Sequence, residues 1–157
     1  MAERPLSRWL VLLLLVLLMA VSAAEPGKAA EGFRLIGLGG GELSRAELES
    51  GTVVVVVWAS WSPRGREIPA QVGELVRGWG ERARILTVNY SEERSVVEEF
   101  LRGREMPAPV YLDSDGQFGR AYGVTSLPAL LVLRDGKSLY SGRWPGDPDA
   151  LLTDLLK

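Results

Sequence analysis

The 157-residue chain contains no cysteine and no histidine. Without a thiolate, its own side chains cannot attack or resolve a disulfide, and they cannot reduce a peroxide through sulfur. Without histidine, the chain lacks the commonest transition-metal ligand and the usual general base near neutral pH. Transition-metal sites and triads of the Ser-His-Asp type are therefore excluded, and the sequence predicts no cofactor.

The chain also lacks an excess of basic residues. Its 18 Lys and Arg stand against 20 Asp and Glu, which gives a formal net charge of -2. Residues 25–157 alone hold 16 basic and 19 acidic side chains. Nucleic-acid binding needs a clustered basic face, so we expect no nucleic-acid partner.

The N-terminus carries an uncharged apolar run at residues 9–21, which follows two arginines. Its 13 residues fall short of the roughly 20 that a membrane-spanning helix needs. Small residues follow and offer a cleavage site, as in a secretory signal peptide. We therefore predict an exported, periplasmic or extracytoplasmic protein, whose membrane contact is limited to residues 9–21 if that run is retained as an anchor. The predicted organisation is a signal peptide or uncleaved anchor at 1–24, a tether at 25–31 and one domain at 32–157.

The middle of the chain alternates strand and helix patterns. Val53–Val57 is a continuous β-branched run, typical of a strand buried on both faces. Apolar residues then recur at helical spacing through residues 68–79. We predict that Ser62 caps this helix, that Pro63 occupies its first position and that Pro69 kinks it.

The same alternation continues on both sides of this segment. A helix at 91–101 is expected to bury Val96, and Asp147 is expected to cap a last helix. The order of elements predicts an α/β fold, a central mixed sheet flanked by helices, with an N-terminal hairpin extension. The other predicted elements are a strand at 33–36 with a hairpin turn at 37–41, a capped helical stretch at 44–48, strands at 83–90, 109–112, 129–133 and 137–143, and a short helix at 117–122.

One segment carries a distinctive motif: Trp58-Ala-Ser-Trp61-Ser62-Pro63-Arg64-Gly65-Arg66-Glu67-Ile68-Pro69. It resembles the active-site turn of the TlpA-like (ResA-like) thioredoxin-fold family of exported thiol-disulfide oxidoreductases, which reads roughly Trp-Ala-x-Trp-Cys-x-x-Cys-Arg-x-Glu-x-Pro. The resemblance covers about residues 32–157 and implies a thioredoxin-like fold. Further matching parts, in the same order as in the family, are Val88-Asn89, Asp113 to Gly116, Leu127-Pro128 and Asp135-Gly136.

The resemblance implies that Ser62 and Gly65 stand where the family carries its two cysteines. A serine hydroxyl is hardly ionised near neutral pH, and glycine has no side chain. We therefore expect no disulfide exchange, no peroxide reduction and no catalytic residue. A hydrolytic role for Ser62 would need a base within hydrogen-bond reach, and the sequence offers only acids such as Glu67. We interpret Ser62 as a helix cap.

The resemblance also predicts a cis bond between Leu127 and Pro128, beside the turn. In the family, the backbone before this proline pairs with an extended substrate segment, which requires no sulfur. The alternative is that the proline only shapes its loop. The resulting candidate binding residues are Trp61, Ser62, Pro63, Arg64, Thr125, Ser126, Leu127 and Pro128.

Two arginines near the turn suggest a further site. Arg64 and Arg66 would join the Ser62 hydroxyl and free amides at a helix N-terminus, which is a candidate anion site. The alternative is that both arginines are solvated surface residues.

The leading hypothesis is a redox-inactive exported protein that binds an extended segment of another extracytoplasmic protein. A chaperone-like role, or a role in the maturation of redox proteins, would fit the resemblance. One alternative is an enzyme that uses a partner's cysteine or an unrecognised site. Another is a structural domain of a membrane-associated complex. The sequence does not fix the oligomeric state.

Overall fold

The computed structural model describes residues 32–157. The predicted signal peptide or anchor and the predicted tether lie outside the described residues. Among residues 32–157, no helix combines the length and the apolar character required to cross a membrane.

The fold is built on one seven-stranded mixed sheet, whose strands lie in the order β2-β1-β5-β4-β3-β6-β7. Strands β3, β4 and β5 pair in parallel, and all other neighbours are antiparallel. This confirms the predicted α/β architecture. The strands are β1 (Arg34–Gly37), β2 (Glu42–Ser44), β3 (Thr52–Trp58), β4 (Arg84–Tyr90), β5 (Val110–Asp113), β6 (Ala129–Arg134) and β7 (Lys137–Arg143).

Four α-helices flank the sheet, and two short 3₁₀ helices precede β3 and the first α-helix. The α-helices are α1 (Ile68–Trp79), α2 (Arg94–Leu101), α3 (Gln117–Ala121) and α4 (Pro148–Leu155). The 3₁₀ helices are Arg45–Leu48 and Gly65–Glu67.

Strand β3 lies at the centre of the molecule because its valines are buried on both faces. Val54 and Val56 belong to the core on the side of α1, α2 and α4, with Leu152 of the last helix. Val53 and Val55 belong to the opposite core, with Phe118 of α3. Side chains alternate across a strand, so one valine run serves two cores. The prediction of a central buried strand is confirmed.

Several local predictions are also confirmed. Ser44 and Glu47 form the capping box at the first 3₁₀ helix. The side chain of Asp147 accepts a hydrogen bond from the Ala150 amide at 2.9 Å and caps α4. The turn at residues 37–41 joins β1 to β2, which confirms the predicted N-terminal hairpin.

The start of the first long helix was predicted wrongly. Helix α1 begins at Ile68, six residues after the predicted cap at Ser62. Pro69 therefore lies in the first turn of the helix, where a missing amide costs nothing, and it is not an interior kink. In the second helix, Val97 is buried but Val96 is 46% exposed, so the prediction that Val96 points inward is wrong.

Candidate functional site

The segment between β3 and α1 is a pair of tight turns. The Ser62 amide donates to the Ala59 carbonyl at 3.2 Å, and the Gly65 amide donates to the Ser62 carbonyl at 2.9 Å. The 3₁₀ helix Gly65–Glu67 then leads into α1. We call residues 59–65 the vacated turn, because they contain both positions at which the resembled family carries cysteine.

Ser62 lies inside the vacated turn. Its side chain is only 6% exposed, and its hydroxyl has no hydrogen-bond partner within residues 32–157. The predicted capping role is therefore wrong, because α1 starts too far along the chain for the hydroxyl to meet its first amides. A hydroxyl without a contacting base is not an activated nucleophile. Among the described residues, no base contacts the Ser62 hydroxyl.

Gly65 occupies a position at which the backbone leaves no room for a side chain. A Cβ atom built on Gly65 would lie 2.6 Å from the Ala59 carbonyl oxygen and 2.8 Å from that of Ser60. Both distances are shorter than non-bonded atoms tolerate, so any side chain would require a backbone shift. The position of the family's second cysteine therefore has no side chain and no space for one.

The stretch that follows the vacated turn, between Gly65 and Pro69, is shorter than in the family pattern. That pattern has four residues between its second cysteine and the proline, whereas three separate Gly65 from Pro69. The anion site expected at Ser62, Arg64 and Arg66 does not lie at the N-terminus of α1, which begins at Ile68. Arg64 and Arg66 are exposed, but they precede the α-helix instead of standing in its first turn.

A buried carboxylate supports the vacated turn from below. Glu92 is 8% exposed and accepts hydrogen bonds from the Ser60 amide at 2.7 Å and from the Asn89 side-chain amide at 2.6 Å. The Ser60 hydroxyl also donates to this carboxylate. These donors hold the carboxylate in place although it is buried. Glu92 thereby fixes the turn to the end of β4.

Sequence reasoning missed Glu92. Residues 91–101 were predicted as helix, which would place Glu92 in a helical first turn. Instead α2 begins at Arg94, and the segment before it folds back under the vacated turn. The one signal was Asn89, a polar residue at the end of a core strand, since a buried amide needs partners.

A second buried carboxylate braces the same edge of the sheet. Asp113, at the end of β5, accepts hydrogen bonds from the Phe118 amide at 3.0 Å and the Gly119 amide at 2.9 Å. Burial raises the pKa of Asp113 above its usual range, and the two amides act in the opposite direction. Next to it, the Ser114 hydroxyl donates to the Glu92 carbonyl at 3.1 Å.

A cleft of about 300 Å³ opens beside the vacated turn. It brings together five of the eight predicted binding residues, and it includes two residues that the sequence did not indicate. The bond between Leu127 and Pro128 is cis, as predicted. The lining residues are Pro63, Arg64, Ser126, Leu127, Pro128, Arg143 and Trp144.

The missed wall of the cleft comes from the end of β7. In the β6–β7 register, Arg143 pairs with Ala129, and Ala129 directly follows the cis-proline Pro128. The Trp144 amide donates to the Pro128 carbonyl at 2.9 Å and joins this wall to the proline loop. A contact between residues so far apart in sequence depends on strand register, which local patterns do not reveal.

The other three predicted binding residues stand apart from this cleft. Trp61 is 64% exposed on the vacated turn, and Thr125 is exposed on the proline loop, but neither lines the cleft. Ser62 is buried. Within residues 32–157, no group of three or more carboxylates is placed to hold a metal ion.

Comparison with known proteins agrees with this geometry. The AhpC/TSA family model matches residues 26–140. ResA, a thiol-disulfide oxidoreductase of Bacillus thuringiensis, is 28% identical over 116 residues, which cover 72% of this chain and 66% of the relative. ResA of Geobacillus thermodenitrificans is 31% identical over 119 residues, which cover 74% of this chain and 68% of the relative. The chain thus spans about two thirds of the length of these relatives.

A solved structure shows the same fold. The exposed lipoprotein thioredoxin Etrx1 of Streptococcus pneumoniae superposes with a TM-score of 0.69 at 23% identity, covering 79% of this chain and 97% of the other. The resemblance to thioredoxin-fold oxidoreductases is therefore confirmed. Because the family model matches most of the chain, the chain belongs to the AhpC/TSA family, and its described residues have a thioredoxin-like fold with a seven-stranded sheet and a cis-proline.

Proposed function

We propose that this chain is a redox-inactive, exported member of its family that binds an extended segment of another extracytoplasmic protein. One observation carries the proposal: the cleft beside the cis-proline is open, whereas neither cysteine position can carry out redox chemistry. A buried serine occupies the first position, and the backbone leaves no room for a side chain at the second. Binding by backbone pairing and shallow side-chain contacts requires no thiol. The proposed role is to hold a partner segment without changing its covalent structure.

The exposed indole of Trp61 supports a binding role. Large aromatic side chains dominate the affinity of many protein interfaces, and they are costly to leave in water. Trp61 stands on the vacated turn, which Glu92 and two backbone hydrogen bonds hold in one conformation. A pre-organised aromatic residue loses little freedom when a partner binds.

Export is supported by the apolar run and cleavage pattern of residues 1–24. The pneumococcal structural neighbour Etrx1 is an exposed lipoprotein, which agrees with a location outside the cytoplasm. We propose a chaperone-like task, such as keeping a partner segment extended during the maturation of a redox protein.

The proposal is tested by photo-cross-linking in cells that express the full chain. The photoreactive residue replaces Pro63, which is exposed and lines the cleft, because Ser62 is buried and unsuitable. The control replaces Glu98, an exposed residue of α2. We expect a discrete adduct from position 63 and none from position 98. Absence of an adduct at 63, or the same products from both positions, would contradict the proposal.

A purified-protein assay tests redox inactivity separately. The full chain should not accelerate disulfide reduction above the rate of the reductant alone, since it contributes no thiol. Turnover above that rate would show a chemistry that the vacated turn does not explain.

A further inference from the structure

We propose that the cleft selects a partner segment that carries carboxylate side chains beside an apolar residue. This inference rests on the proposed function, since it names the chemistry of the segment that the cleft would hold. It starts from the charges on the cleft walls, which the resemblance to the family does not specify.

Two arginines from different segments of the chain line the cleft. Arg64 comes from the vacated turn and Arg143 from the end of β7, and no acidic residue lines the cleft between them. Both are exposed. Within residues 32–157, neither guanidinium makes an ion pair or a hydrogen bond.

Several other exposed arginines of the domain are paired. Ion pairs join Arg34 to Glu42 at 3.2 Å and Arg94 to Glu98 at 3.3 Å. Exposed Arg66, like the two cleft arginines, makes no such pair within residues 32–157, but it does not line the cleft. Two arginines without an acidic partner in the lining of one cleft create a local positive potential that attracts anionic groups.

The backbone that carries each arginine is fixed. The Tyr140 hydroxyl donates to the Arg143 carbonyl at 2.8 Å, and the next residue is bonded to Pro128. On the other wall, the Glu67 amide donates to the Arg64 carbonyl at 3.0 Å. The side chains remain free to form bidentate hydrogen bonds with a carboxylate, the geometry that guanidinium groups favour.

The size of the cleft limits what it can hold. At about 300 Å³ it stands at the lower end of ligand pockets, which run from roughly 300 to 1,000 Å³. It suits one or two side chains of an extended segment rather than a folded surface. Pro63, Leu127 and Trp144 provide apolar walls, which explains why an apolar neighbour should accompany the carboxylate.

Peptide binding to the full chain tests the inference. The probes are two fluorescein-labelled heptapeptides, one with Glu-Leu-Asp at its centre and one with the uncharged isosteres Gln-Leu-Asn. We expect the acidic peptide to bind roughly tenfold tighter, because each surface charge pair contributes up to about fivefold. The advantage should shrink at high salt, where exposed charges are screened. Equal affinity for the two peptides would overturn the inference.

Variants assign the effect to the two arginines. Arg64→Gln and Arg143→Gln should each weaken the acidic peptide roughly two- to fivefold and leave the amide peptide unchanged. Arg66→Gln removes the same charge from an exposed residue that does not line the cleft, and it should change neither affinity. An equal loss in all three variants would reject a specific role for the cleft.

The outcomes separate this inference from the proposed function. If both peptides bind equally well and Arg64→Gln has no effect, the charge preference is wrong but the binding role stands. If a position-63 adduct forms, mass spectrometry of the cross-linked segment must find Asp or Glu next to the attachment point. A neutral or basic segment there overturns the inference. Failure of both peptides and of the cross-link rejects the proposed function itself.

Discussion

The residues beneath the vacated turn, here called its floor, and the walls of the cleft differ in how many of their polar groups make hydrogen bonds. On the floor, the Glu92 carboxylate is buried and accepts bonds from Ser60 and Asn89. On the walls, the Arg64 and Arg143 side chains are exposed and make no bond within residues 32–157. Both regions contact the vacated turn, yet the carboxylate of one is hydrogen-bonded and the arginine side chains of the other are not.

This difference indicates which residues contribute to folding stability and which contribute to binding affinity. A buried carboxylate with several donors stabilises the fold only while all its partners remain, since each donor left unpaired costs a desolvation penalty. Exposed arginines contribute little to folding and remain available for a ligand. The floor should therefore control stability and the walls should control binding. Each prediction below tests that division.

The largest effect is expected at Glu92. Glu92→Ala leaves the Ser60 amide, the Ser60 hydroxyl and the Asn89 amide without their acceptor and should lower the free energy of unfolding by about 3 kcal/mol. Glu92→Gln keeps one acceptor oxygen and should lose about half as much. Urea denaturation measures both.

The matched control for Glu92 is its neighbour. Glu93 is exposed, and its side chain does not cap α2, so Glu93→Ala should change the unfolding free energy by less than about 0.5 kcal/mol. If Glu92→Ala proved as stable as the wild-type protein, the buried carboxylate would not fix the turn.

A smaller loss is expected where the backbone closes on Gly65. Gly65→Ala places a methyl group against the Ala59 and Ser60 carbonyl oxygens and should destabilise the domain by about 2 kcal/mol. Gly39→Ala is the control, because no atom lies within 4 Å of the added carbon, and its effect should stay below about 0.5 kcal/mol. Equal melting of the two variants would show that the turn relaxes freely.

On the exposed side, Trp61→Ala should separate binding from folding. The indole is 64% exposed, so its removal should change the unfolding free energy by less than about 0.5 kcal/mol. Partner affinity should fall roughly tenfold if Trp61 anchors the interface. Affinity is measured by anisotropy with the segment recovered from the cross-link. Val96→Ala, which removes an exposed apolar side chain from α2, should leave affinity unchanged.

The smallest effect is expected at Ser62. Its hydroxyl is buried without a partner, so Ser62→Ala should be neutral or should stabilise the domain by up to about 1 kcal/mol. Ser60→Ala provides the contrast, since it breaks a bond to Glu92 and should destabilise by about 1 kcal/mol. Destabilisation by Ser62→Ala that matches Ser60→Ala would mean that Ser62 has a hidden partner.

The parts of the fold that the sequence predicted depend on local patterns. The β-branched run at Val53–Val57 favours a strand buried on both faces, and the apolar spacing at residues 68–79 favours a helix. The cis bond before Pro128 came from the family resemblance. Each of these signals is carried by adjacent or periodically spaced residues.

The parts that failed depend on irregular backbone turns or on contacts between distant segments. Ser62-Pro63 carries a helix-start signal, but the turns that fold over Gly65 and the shortened stretch to Pro69 move the helix start to Ile68. Arg143 reaches the cleft through the β6–β7 register, which shifts at an irregularity between Val132 and Leu133. No local pattern encodes that register.

The closed position at Gly65 has an evolutionary consequence. A Ser62→Cys substitution would supply one sulfur, but a second sulfur at position 65 could be added only together with a rearrangement of residues 59 and 60. No single codon change makes both alterations. A side chain at position 65 would also lower the stability of the domain before any redox activity was gained. Substitutions at the exposed residues that line the cleft meet no such steric barrier, so selection can change binding by this domain more readily than it can supply a dithiol.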